Sequence, residues 1–181
     1  AATGVTHPVT AVLLGFRAYD TLLEIAVLLL ALTATWSLHA ELPAAPEPPI
    51  GPMQEQLVQV LLPLMILVAG HLLWVGSKGP GGAFQAGAVL AAGGVLLRLS
   101  LRPLPGWRHP ARYRAFTVLG LVVFLAVGLA TMSDGPLLAY RGEQAALSIL
   151  LIEAAAALSI GAILAALFVR RPPDKSPEQA R

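Results

Sequence analysis

Five stretches of this chain are each long and apolar enough to cross a lipid bilayer, and that constrains the fold more than any motif. A spanning helix needs about 20 mostly apolar residues. Ala18–Leu38, Gln56–Val75, Ala83–Leu101, Ala115–Met132 and Gly142–Val169 meet that need or come close to it. The last is long enough to tilt. Hydrocarbon offers the backbone no water, so each span is helical. The expectation is an all-α membrane protein with about five transmembrane helices. Gly4 to Arg17 is moderately apolar but too short to span, and reads as a half-helix.

Composition agrees. Of the 181 residues 56% are hydrophobic and 12% charged, with mean hydropathy +0.73. A soluble domain carries about 25% charged residues. The chain has no cysteine, which removes disulfides, thiolate metal sites, iron–sulfur clusters and cysteine nucleophiles together. The four histidines, His7, His39, His71 and His109, lie in four segments without metal-ligand spacing. No metal and no cofactor is expected.

Basic residues set the orientation. The loop Arg102 to Arg114 and the tail from Arg170 to Arg181 hold four each, whereas Arg17, Lys78 and Arg141 fall on the opposite side. By the positive-inside rule the C-terminus and the Arg102–Arg114 loop are cytoplasmic and the glycine loop faces outward. A cell (inner) membrane location follows. Arg98, near a helix end, is able to snorkel. The basic residues form no face on a soluble module, so nucleic acid is not an expected partner.

The connections are of different kinds. Ala44 to Pro49 is rich in proline and cannot continue a helix. Gly76-Ser77-Lys78-Gly79-Pro80-Gly81-Gly82 is a tight glycine loop. Pro103, Pro105, Trp107 and Pro110 suit an interfacial segment. The tail, residues 171–181, is polar and is expected to be disordered.

Ionisable groups inside spans cost about 2.5–3.5 kcal/mol at a helix centre, so each asks for an explanation. Glu153 lies twelve residues after Arg141 and seventeen before Arg170, which puts it near the midplane. It reads either as a protonatable station or ion ligand, or as a structural carboxylate bonded to a neighbouring helix. Arg17, Asp20 and Glu24 share one helical face. Arg17 and Asp20 suit a boundary pair. Glu24, a turn deeper, suits an interface with another chain, a proton relay or a cap on a neighbouring helix. His71 lies near the outward end of its helix, as a packing residue or a proton exchanger. Lys78 reads as solvated. Gly79, Pro80, Gly81 and Gly82 allow a sharp turn ahead of Phe84, and Gly87, Gly93, Gly94 and Ala154 to Ala157 continue small-residue faces that favour close helix packing. No Gly-Lys-Ser/Thr ending makes this a phosphate loop, and no Ser–His–Asp arrangement marks an autonomous enzyme.

Two stretches resemble known families. His71 to Gly87, with Gly79-Pro80-Gly81-Gly82-Ala83-Phe84 at its centre, is similar to the Pro-Gly-Gly-Gly-Phe signature of the MnhB/MrpB family, the B-type small subunits of Mrp-type cation/proton antiporters. Ala83 replaces the third glycine, and Ile152-Glu153 stands where that family has Phe-Asp. Gly4 to Glu24 resembles the E-type small subunit of membrane-bound hydrogenases (MbhE), a segment that also ends the large A-type chain of Mrp antiporters. The resemblance implies a fusion: an E-like segment with the first helix (1–43), a proline-rich linker (44–55), an MnhB/MrpB-like four-helix domain (56–170) and the tail (171–181).

It further implies a place in a complex I-like membrane assembly beside large antiporter-like subunits and other small ones, with Na+ and H+ as the ions moved. Glu153, Glu24, His71, Asp20 and Lys78 become ion-path candidates. A redox-driven hydrogenase-like complex, and a purely structural scaffold role, are the competing readings.

Overall fold

The computed structural model describes residues 18–38, 51–76, 79–100, 109–131 and 144–169. They form five helices: α1 (Ala18–Ser37), α2 (Pro52–Val75), α3 (Ala83–Leu99), α4 (Pro110–Thr131) and α5 (Gln144–Val169). No strand occurs among the described residues. The expected half-helix before Arg17 and the tail lie outside them.

Four of the helices are long and apolar enough to span a membrane, so the chain is a multi-pass membrane protein. α3, at 17 residues, rises only about 25 Å, less than the roughly 30 Å of a hydrocarbon core. It is the shortest of the five and packs chiefly against α5 and α2. α2 starts four residues earlier than the apolar run suggests, because Pro52 takes a first-turn position where a missing N–H costs nothing.

α5 is the axis. Of its apolar window 67% is buried, against 11–28% in α1, α2 and α4. α3 and α4 pack along it, α1 crosses it and α4, and α2 reaches it mainly through α3. Gln54 Nε2 of α2 donates to the Leu99 carbonyl of α3 at 3.1 Å, closing the open end of that hairpin.

Small residues carry the crossings, as the sequence suggested. Lipid tails are as apolar as leucine, so close backbone approach and interhelical hydrogen bonds must hold such helices together. A methyl group on Gly87 would come within 2.8 Å of Ile160 Cγ2, and one on Gly161 within 2.9 Å of Leu90 Cβ. Two hydrogen bonds tie α4 to α5: Ser159 Oγ donates to the Thr117 carbonyl at 2.6 Å, and Tyr113 Oη to the Ala162 carbonyl at 2.7 Å. Around them Ile25, Phe124, Ile149, Ile152 and Ile160 form the main core cluster. The outward faces carry exposed leucines and valines, Leu30, Val60 and Leu67 among them.

A candidate ion site beside the glycine loop

The glycine loop is folded back on the end of α2. The Leu72 carbonyl accepts two N–H groups, from Gly76 and from Gly82, each at 3.0 Å. Gly79 N–H donates to the Val75 carbonyl at 2.7 Å. A side chain on Gly76 would strike the backbone of Gly82 at 2.7 Å, and one on Gly81 would overlap the Leu72 carbonyl. Gly82 has φ 113° and ψ −170°, a region essentially closed to other residues. Gly76, Gly81 and Gly82 thus each have their own reason. Ala83, by contrast, is the first residue of α3, where helical backbone makes no such demand for glycine.

Above this loop sits Glu153. Its side chain is buried, at 6% exposure. A Cβ on Gly82 would lie 3.5 Å from Glu153 Oε1 and 3.8 Å from Gln85 Oε1. The acid of α5 and the exposed amide of α3 thus both lie beside Gly82 at the start of α3, where free N–H groups and the helix dipole favour negative charge. Gln85 was not singled out from the sequence. Its signal was a polar side chain in the first turn of a helix whose only other polar side chain is Arg98, in the last turn. Along α5, Glu153 is about 9 Å from Leu147 and about 24 Å from Val169, at the level where α3 begins.

Asp20 and Glu24 sit one turn apart on α1 and line an open cleft of about 520 Å³ with Leu23, Val27, Leu28 and Phe84. Glu24 is exposed in the single chain and Asp20 is half-buried with a polar partner. Phe84 belongs to both features. It walls the cleft and packs against the core cluster that contains Ile152, the neighbour of Glu153. The structure thus brings Asp20 and Glu24 to the Phe84 side of the motif, and Glu153 to its Gly82 side. His71 is exposed on α2 and is not part of the cleft wall. Lys78 lies outside the described residues, and so does Arg17, the expected partner of Asp20. Thr21 Oγ1, beside Asp20, is buried without a hydrogen-bond partner, a polar atom for which the sequence offers no signal. Among the described residues no group of three or more His, Asp or Glu side chains is arranged to hold a metal.

Comparisons with known proteins agree with this architecture. No curated protein matches the chain in sequence. A chain of the membrane-bound sulfane sulfur reductase, an archaeal respiratory membrane complex, superposes with a TM-score of 0.79 at 21% identity, over 96% of this chain and 81% of that one. A chain of the Mrp complex from Dietzia sp. DQ12-45-1b superposes with a TM-score of 0.69 at 25% identity, over 97% of this chain. This chain spans only 22% of that longer one. A family model, the domain related to the MnhB subunit of Na+/H+ antiporter, matches residues 53–170, from the first turn of α2 to the end of α5. By that match the chain belongs to the family of domains related to the MnhB subunit of Na+/H+ antiporters.

Proposed function

We propose that this small membrane subunit works in a Mrp-type Na+/H+ antiporter module, and that Asp20, Glu24 and Glu153 flank a hydrated cation path completed by neighbouring membrane subunits. The observation that carries the reading is the shared position of Phe84, with the Asp20–Glu24 cleft on one side and the Gly82–Glu153 contact on the other. A carboxylate facing hydrocarbon costs a few kcal/mol. Glu24, exposed in the single chain, is relieved of that cost by water or by a partner helix. The E-like reading of residues 1–43 belongs to the same proposal. Its support is that single chains of both similar structures extend over 96–97% of this one.

Moving cations needs carboxylates that take and release charge beside water. Asp20 and Glu24 supply two acceptors a helical turn apart, and Glu153 supplies a third at a helix start. His71 and Lys78 remain outer candidates for exchange with the aqueous side. The membrane is the cell (inner) membrane, with the basic stretch from Arg102 to Arg114, which runs into the first turns of α4, and the tail cytoplasmic. A redox-driven assembly is the second reading, favoured by the fold shared with the sulfane sulfur reductase chain. In either assembly this chain supplies ion-moving helices.

The test is Glu24→Gln and Glu153→Gln in the assembled complex, with Na+-dependent dissipation of a pH gradient measured in everted vesicles. Each is expected to slow exchange about tenfold or more, equivalent to about 1.4 kcal/mol on the barrier, with the complex's composition kept. Exchange at the original rate in both variants would remove the carboxylates from the path. Loss of assembly would make them structural.

A further inference from the structure

Toward the end of the bundle away from the glycine loop, α3, α4 and α5 leave an apolar groove of about 180 Å³, lined by Leu90, Gly94, Tyr113, Phe116, Leu158 and Ala162. It exists because Gly94 and Ala162 are too small to fill the space between the helices, and because Tyr113 is held back by its hydrogen bond to the Ala162 carbonyl. That bond also uses the only polar side chain on the groove wall among the described residues, so the interior offers a ligand hydrocarbon. The lining residues come late in α3 and α5 and early in α4, so the groove lies in the half of the bundle where α4 begins.

The mouth has a different chemistry. Arg112 precedes Phe116 by four residues, which sets it on the groove's side of α4 one turn further out, and His109 stands immediately before the first residue of the helix. The Tyr113 N–H to His109 carbonyl bond, at 3.1 Å, starts the helix there. Both side chains are exposed. An apolar slot inside the bundle, ending in a guanidinium and an imidazole at the span boundary (Ala111 begins the apolar window), is complementary to a molecule with a hydrocarbon tail and an anionic head. Basic pockets between transmembrane helices bind phospholipid head groups in this manner. We propose that this groove is a binding site for an anionic phospholipid, one acyl chain lying between α3, α4 and α5 and the phosphate meeting Arg112 and His109.

The test uses the purified complex, stripped of lipid in mild detergent and titrated with cardiolipin or with phosphatidylcholine, and native mass spectrometry counts the adducts on this chain. Cardiolipin is expected to bind the more tightly, and Arg112→Gln to weaken it about fivefold, the effect of one basic residue near a membrane surface. Ala162→Phe, which fills the groove, is expected to abolish the adduct. Should Ala162→Phe fail to fold, the exposed Arg112→Gln and His109→Gln variants still decide the matter. Equal binding of both lipids, or adducts indifferent to these variants, would overturn the proposal. So would a photo-crosslinker at position 116 that captures a partner protein in place of lipid.

Discussion

Gly82 and Glu153 face each other across the junction of α3 and α5: a methyl group on the glycine would stand 3.5 Å from the acid's Oε1. That distance is ordinary contact, so steric exclusion by the carboxylate is not why position 82 is glycine. The backbone is the reason, since φ 113° with ψ −170° is glycine territory. The residue that shapes the loop and the residue that carries the charge are thus neighbours with separate requirements.

Gly82→Ala is therefore expected to cost about 1–3 kcal/mol through backbone strain alone, lowering the thermal midpoint of the detergent-purified complex. Gly81→Ala is expected to be worse, because its Cβ would overlap the Leu72 carbonyl that holds the loop closed. Ala83→Gly, which restores the family's third glycine, is expected to change the midpoint little. Equal midpoints for all three variants would show that the loop tolerates other backbones.

How much of this was legible in the sequence differs by element. The span boundaries were legible in part, because apolar length is itself the physical requirement for crossing a bilayer: the expected end at Val75 and start at Ala83 coincide with helix ends, whereas α2 and α4 begin at Pro52 and Pro110, ahead of the expected Gln56 and Ala115, because proline suits the first turn of a helix. The importance of Glu153 was legible as an acid among alanines and leucines, but its position opposite Gly82 was not. That contact depends on where α3 begins relative to α5, and the sequence places no mark for helix register. The cleft was half legible. The spacing of Asp20 and Glu24 put them on one face, yet only tertiary packing brings Phe84, sixty residues away, to the same wall. Gln85 escaped notice because one amide beside a glycine loop looks like a solvated turn residue.

The α4–α5 seam separates hydrogen bonding from packing. Ser159→Ala removes the 2.6 Å bond to the Thr117 carbonyl, and such bonds in membranes average about 0.6 kcal/mol and reach about 1.7. A small loss of stability is expected. Gly120→Val would push a Cβ to 2.8 Å from Ser159 Cβ and 3.0 Å from Ala156 Cα. The second of these is backbone and cannot turn aside, so a loss of about 1–3 kcal/mol from overpacking is expected. Unfolding of both variants in denaturing detergent, beside the parent, gives the comparison. A serine variant damaged more than the glycine variant would mean that the hydrogen bond dominates the seam.

Topology is testable without background, because the chain has no cysteine. Single cysteines at Ser133, between α4 and α5, and at Ser176, in the tail, fall on opposite sides if α5 crosses the membrane once. The orientation proposed from the basic residues has the tail on the cytoplasmic side. A membrane-impermeant maleimide is therefore expected to label Ser133→Cys in intact cells and Ser176→Cys only in everted vesicles. The reverse pattern would invert the chain. The mouth of the lipid groove would then face the outer leaflet, and the glycine loop, with Glu153 above it, would open toward the cytoplasm. Labelling of both positions from one side would be incompatible with α5 as a spanning helix, and with it the burial of Glu153 within the membrane would fall.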